Sequence, residues 1–249
     1  MANLTLVFDP GSSSSKIVHR VIRKRENRGK SYDRQKLLLM EPEIVRFPES
    51  ALDSLVPDLS MANVEDSAWV KEKKRDEEVY LLGFLALRSQ ARLDMKQLKY
   101  ESAAYKIMGA VGAVAQKYEN YLGNKFNVAI AVLLPYGEYS NGKRLEEQIK
   151  SKLKRFYFRG EKIQASLKSF RCLPEGGGIA MSLASKKGPE WLKANNVAIF
   201  VFGHRNTSLL HFQRGTIQAG ETTNLGFHQV LDSIIRQTSG QDSSLSRRN

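Results

Sequence analysis

The chain of 249 residues is long enough to bury a large core in one large domain or two small ones, and its 41% hydrophobic and 26% charged content excludes a disordered chain. Its single cysteine, Cys172, excludes internal disulfides and any multi-cysteine metal centre, as expected in a reducing compartment. The formal net charge of +13 suits nucleic acid, an acidic partner or an oppositely charged subunit face. No basic n-region or cleavable apolar h-region follows Met1, and the longest apolar runs, Val128 to Leu134 and Val197 to Phe202, fall far short of the roughly 20 residues that span a bilayer. The expectation is a cytoplasmic protein with no membrane segment.

Taken in chain order, Leu4 to Phe8, Lys16 to Ile22 and Lys36 to Met40 read as three strands of a meander. Between the first two lies Asp9-Pro10-Gly11-Ser12-Ser13-Ser14-Ser15-Lys16. An apolar strand ending in an acid, a Pro-Gly break and four small hydroxyl residues can turn sharply and aim several backbone N–H groups at one anion, with the Lys16 ammonium in reach of a phosphate. The spacing is not that of a Walker A loop, and Ile17, Val18 and Val21 favour a strand where that motif requires a helix. An ordinary polar hairpin tip satisfies the same local pattern. Basic residues crowd from Arg20 to Lys36, opposed only by Glu26 and Asp33, and again from Lys143 to Arg171. Either stretch suits a polyanion or a solvated face.

Residues from about 41 to 78, with Pro42, Pro48 and Pro57, read as an inserted small subdomain. Val79 to Ala86 is a short strand turning into a helix at Gly83. Ala103, Ile107, Ala110, Val111 and Val114 have helical spacing, which predicts one long buried helix from about Leu98 to Tyr121, with Gly109 and Gly112 permitting close packing. Val128 to Leu134 reads as a fully buried strand ended by Pro135, and Gly142 to Leu153 as an amphipathic helix. A hairpin around Gly160 joins Arg155–Arg159 to Lys162–Phe170. Pro174-Glu175-Gly176-Gly177-Gly178 opens a helix. Asn196 to Phe202, Thr207 to Arg214 and Thr216 to Glu221 read as a second sheet, followed by a helix from about Leu225 to Gln237 and a disordered polar tail, 239–249. Gly203-His204-Arg205-Asn206 lies between the first two of these strands, where it offers a second loop to an anion.

Two hairpin loops with an acid opening a helix between them resemble the actin-like ATPase superfamily, and within it the bacterial ParM/StbA plasmid-segregation group. Asp9 to Lys16 resembles the family's first phosphate loop, D-x-G-x-x-x-x-K. Val79 to Ala86 is similar to its V-G-x-x-A segment, and Leu134-Pro135-Tyr136-Gly137-Glu138-Tyr139 to its L-P-x-x-x-Y strand end. Pro174 to Gly178 resembles the connecting helix whose acid positions the hydrolytic water. The resemblance implies an α/β, actin-like (ribonuclease H-like) two-lobed fold, with a first lobe at 1–190, a partial second lobe at 191–238, and ATP or GTP with Mg2+ as cofactors. It implies phosphate contacts from Gly11, Ser12, Ser13, Ser14, Ser15, Lys16, Gly203, His204, Arg205 and Asn206. Asp9 is the implied magnesium-directed acid, and Asp9 and Glu175 the catalytic pair. It further implies self-association into filaments and a DNA-bound adaptor, to which the basic stretches add direct DNA contact.

Three departures qualify this pattern. Val201 stands where the family's second loop, D-x-G-x-x-T, carries a magnesium-holding acid, so hydrolysis is open and a non-hydrolysing scaffold is the alternative. Family members continue into an adenosine loop and a final connecting helix, so the chain reads as a fragment, or as a degenerate or partner-completed version of the fold. Gly176 to Gly178 makes the start of the connecting helix unusually flexible. A sugar or acetate kinase of the same superfamily would need a substrate acid and a larger second lobe, neither of which the sequence displays.

Overall fold

The protein, a computed structural model, is described for residues 2–24, 30–32, 34–55, 62–91 and 97–238. The chain divides into two compact units, one formed by Met1–Leu134 with Ser140–Leu173 and the other by Pro135–Tyr139 with Pro174–Asn249.

In the first unit, β1 (Leu4–Pro10) alternates buried and half-buried residues, and Leu4, Leu6 and Phe8 are fully enclosed. It pairs antiparallel with β2 (Ser15–Lys24), which in turn pairs with β3 (Lys30–Tyr32) and β4 (Lys36–Met40). The basic stretch thus becomes a hairpin in its backbone, with its tip, including Arg25 and Arg28, outside the described residues. The inserted segment supplies β5 (Ile44–Pro48), a 3-10 turn at Glu49–Ser54 and β6 (Trp69–Lys71); β7 (Glu78–Leu82) then leads through Gly83, at φ +61°, into α1 (Phe84–Arg88). Leu52 packs with Val79, Leu81, Leu85 and Ala86 in a small core of its own.

The long helix breaks near its end into α2 (Lys99–Lys117) and α3 (Glu119–Leu122), at Tyr118 with φ −123°. Next come β8 (Lys125–Leu134), α4 (Gly142–Leu153), β9 (Phe156–Phe158) and β10 (Glu161–Pro174). β8 runs parallel to β1 and alternates buried with half-buried residues, so only one of its faces is sealed. The sheet order is β3-β2-β1-β8-β10-β9-β6-β7-β5, with β4 also on β2. α2 lies in its core, buried from Ala103 to Ala115 except at Tyr105, and α4 turns Leu145, Ile149 and Leu153 inward at helical spacing. At the β9–β10 turn Arg159 and Gly160 both take positive φ, the geometry of a tight two-residue hairpin.

The second unit contains a 3-10 turn from Tyr136, α5 (Gly177–Lys187), α6 (Pro189–Ala194), the antiparallel strands β11 (Val197–Phe202), β12 (Thr207–Gln213) and β13 (Thr216–Thr223), and α7 (Phe227–Thr238). The boundary falls at Leu173/Pro174 rather than near residue 190, because Ala180 on α5 and Leu192 on α6 share a core with Ile199, Leu210 and Phe212 of this sheet. On the other face of β11, Phe200 and Phe202 are 56% and 80% exposed, and α7 buries none of its residues although Phe227, Val230 and Ile234 form an apolar stripe. The tail read as disordered, 239–249, lies outside the described residues. Among the described residues no helix is long and apolar enough to cross a membrane.

α2 owes its close fit to two glycines. A Cβ on Gly109 would stand 2.3 Å from Leu82 Cδ1, and one on Gly112 would stand 2.3 Å from the Phe158 ring. Gly112→Ala is therefore expected to destabilise the protein by about 1–3 kcal/mol of overpacking, outweighing the ~1 kcal/mol that alanine gains in helix propensity. A urea unfolding midpoint at or above that of the parent would show that the ring yields freely.

Candidate functional site

The first loop is a hairpin whose register is fixed on both sides: Asp9 pairs with Lys16 and Pro10 with Ser15, leaving Gly11 to Ser14 as the connection. Gly11 N–H donates to the Asp9 carbonyl at 2.9 Å, folding the chain back at once. A Cβ on Gly11 would lie 2.4 Å from the Ser14 carbonyl oxygen, so only glycine permits this approach. Ser14 Oγ donates to the Met40 carbonyl at 3.3 Å, anchoring the loop to β4. Ser13 is exposed, Gly11 and Ser12 are half-buried, and Lys16 is exposed with its Nζ 3.8 Å from Asp9 Oδ2. At that distance and exposure the pair holds little energy, and the ammonium is at liberty to turn to another anion. The Ser15 hydroxyl is buried and finds no hydrogen-bond partner among the described residues. A glycine cradle, an orphaned hydroxyl and a lysine suit a phosphate group.

The second loop is closed differently. Gly203 N–H donates to the Asn206 carbonyl at 2.9 Å, and a Cβ on Gly203 would crowd that same oxygen at 2.8 Å. The carbonyls of Gly203 and His204 accept the N–H groups of Phe227 and His228, both at 3.0 Å, so the first turn of α7 is satisfied by the loop. Gly226 makes this possible, since a Cβ there would sit 2.2 Å from the Arg205 carbonyl carbon. Asn206 is buried, and Val201 packs against the core of this unit.

Arg205 does not stand out in solvent. It is buried, and its Nη2 donates to Oε1 of Glu138, which is also buried. Glu138 sits on the 3-10 turn from Tyr136, which Thr222 Oγ1 fixes by accepting the Gly137 N–H at 3.0 Å. This carboxylate was missed as a site residue: it lies inside the L-P-x-x-x-Y match, but in sequence nothing separates an acid facing an arginine 67 positions later from one facing water. Glu175, the acid read as catalytic, is buried in the turn before α5, next to Gly176 at φ +88°. His204 meets the His228 ring at 5.7 Å between centroids, and His228 Nδ1 lies 2.8 Å from the His204 carbonyl. Burial, then the neighbouring His228, lower the His204 pKa, with Asp232 pulling weakly the other way. Cys172 is half-buried, and desolvation pushes its thiol up to about 11, which disfavours the nucleophilic thiolate at neutral pH.

Neither loop, taken by itself, offers a divalent ion more than one carboxylate. Magnesium is usually held by one or two carboxylates besides phosphates and water. In the second loop Val201 supplies no oxygen and Arg205 holds Glu138; in the first, Asp9 is the one acid, 3.8 Å from Lys16 Nζ. Among the described residues no three His, Cys, Asp or Glu side chains converge to hold a metal.

No protein-family model and no curated protein sequence matches the chain. Solved structures do match. AlfA from a B. subtilis plasmid, in its filament, aligns with TM-score 0.60 at 13% identity over 96% of this chain and 80% of its own. A ParM from a 15-stranded filament of Clostridium botulinum aligns with TM-score 0.65 at 18% identity, over 96% of this chain and 69% of its own. An archaeal actin homolog gives TM-score 0.62 at 12% identity, over 96% and 67%. The fold is therefore actin-like, in agreement with the α/β architecture implied by the loop order.

Two outcomes follow from this geometry. Arg205→Met alone is expected to destabilise the protein by removing the buried guanidinium that faces Glu138, and the further change Glu138→Leu to recover part of the loss; equal stabilities of single and double variants in a denaturant titration would show that the pair is uncoupled. Because the folded pKa of His204 lies below its unfolded value, the unfolded chain binds more protons as pH falls through the usual histidine value, and stability is lost from there down to the folded pKa. His204→Gln should flatten the melting temperature between neutral pH and the lower end of that range.

Proposed function

We propose that the chain is an actin-like filament protein that binds ATP or GTP and serves plasmid DNA segregation or a related cytoskeletal task in the cytoplasm. One observation carries this reading: on an actin-like fold, the Asp9–Lys16 hairpin joins a glycine that only a bare backbone can fill to an orphaned buried hydroxyl and a lysine. Structures of the same fold include an AlfA filament bound to AMPPNP and an archaeal actin homolog in complex with ADP, which supports a nucleotide as the ligand. Filaments of AlfA and ParM support self-association.

In this proposal the backbone N–H groups of Gly11 to Ser15 donate to phosphate oxygens and Lys16 neutralises their charge. The Gly203–Asn206 loop adds donors, with Asp9 and Glu175 ordering water. Phosphoryl transfer depends on such positioning and charge stabilisation and needs no covalent nucleophile. A DNA-bound adaptor is the expected partner, and Arg23, Lys24 and Arg25 are proposed to serve filament or DNA contacts. The second reading, a scaffold that assembles without hydrolysis, is favoured by Val201, whose apolar side chain packs into the core where an acid would be needed.

Phosphate release, sedimentation and light scattering with and without ATP test both. The parent is expected to sediment as polymer only with nucleotide, and Gly11→Val to abolish that dependence. Polymer that forms without phosphate release selects the scaffold; nucleotide-independent behaviour of the parent removes the reading altogether.

A further inference from the structure

We infer that β11 is a self-association edge: two copies of the chain join antiparallel along Val197–Phe202, with Phe200 facing the partner's Phe200, and merge their second-unit sheets into one. The contact needs no nucleotide, so it goes beyond the filament reading and stands or falls apart from it. A twofold pair closes on itself and builds no polymer.

The sheet of the second unit has the order β11-β12-β13, so both outer strands present an edge. β13 is blunted: it carries the exposed Gln218 and Glu221, and its ladder shifts register between His211 and Phe212 of β12. β11 has none of these devices. Its six residues, Val-Ala-Ile-Phe-Val-Phe, include no charge and no proline, its register on β12 is unbroken, and among the described residues no second strand pairs with it. The exposed rings of Phe200 and Phe202 stack with centroids 6.2 Å apart. Thr207, opposite Phe202 on the same face, donates its Oγ1 to the Leu225 carbonyl at 2.8 Å and so brings the exposed Leu225 to that end of the strand. An apolar, unblunted edge is a template for another strand.

Main-chain geometry selects a second copy as the occupant. Gly203 N–H donates to the Asn206 carbonyl, so the closely bonded pairs of the β11–β12 ladder fall at Gly203, Val201, Ile199 and Val197. The N–H and C=O groups of Ala198, Phe200 and Phe202 therefore point to the open edge. Antiparallel self-pairing centred on Phe200 sets these three against the partner's Phe202, Phe200 and Ala198, and no other antiparallel self-register satisfies all of them. The same register places a large ring against a small alanine on the open face and Ile199 against the partner's Val201 on the core face, with no charge opposing another. At 56% and 80% exposure, and about 150–250 Å2 for an aromatic side chain, the two rings hide at most roughly 300 Å2 per copy, against about 800 Å2 in a standard interface. The pair is accordingly reversible and held largely by its main-chain bonds, with a dissociation constant on the order of tens of micromolar.

Sedimentation velocity of the full chain in nucleotide-free buffer with EDTA, from about 1 to about 200 µM, tests the inference. The parent is expected to pass from monomer to dimer over that range. A parent that stays monomeric throughout overturns the inference and leaves the nucleotide-binding reading standing. Phe200→Lys and Phe200→Glu alter an exposed side chain, so both are expected to melt as the parent does. Each alone should dimerise at least about tenfold more weakly, because like charges then face each other across the axis. Mixed in equal amounts at low salt, the two should pair at least about fivefold more tightly than either alone. Variants that dimerise as well as the parent, or a mixture no tighter than its components, overturn the inference. If either variant fails to melt cooperatively, Phe202→Lys on one copy and Ala198→Glu on the other replace them, with the same mixing readout.

Discussion

β1 is held from both sides, antiparallel to β2 and parallel to β8, and this double pairing is the constraint on which the first unit depends. Leu4, Leu6 and Phe8 point to one face and are fully buried, so a slip of one residue would turn all three outward and bring Thr5, Val7 and Asp9 into the core. The penalty fixes the register, and the register fixes where the chain leaves the sheet. Asp9 thus meets Lys16 across the hairpin, and the loop between them has little choice of shape.

The second unit reaches its loop by other means. Here the strand before the turn keeps one face open, and the turn is defined by what backs it: the first N–H groups of α7, the glycine that lets that helix approach, and the arginine drawn down onto Glu138. The two loops look alike in sequence, each a short polar run with a glycine between apolar strands. They differ in commitment, the first keeping an orphaned hydroxyl and a loosely held ammonium, the second spending its carbonyls and its cation within its own unit.

Much of the fold was legible because the patterns were local. Strand alternation located β1, β2, β4 and the three strands of the second sheet to within a few residues, and the 3.6 period located α2 and α4. The fold class followed from the order of the loops and agrees with the structural neighbours. Illegible were features set by distant partners. Glu138 and Arg205 find one another only once the second unit is folded. The half-buried second face of β8 depends on how far its surroundings cover it, which the run of apolar residues does not record. The packing of α5 and α6 is equally hidden, because their core residues meet strands that come later in the chain.

The contact at Gly226 has a mechanical meaning. With no atom to spare between that glycine and the backbone of Arg205, and with two main-chain hydrogen bonds spanning the joint, the turn at 203–206 and α7 form a single stiff lever. Whatever displaces the turn by a few tenths of an ångström swings the far end of a twelve-residue rod, and with it the stripe of Val230 and Ile234 that faces water.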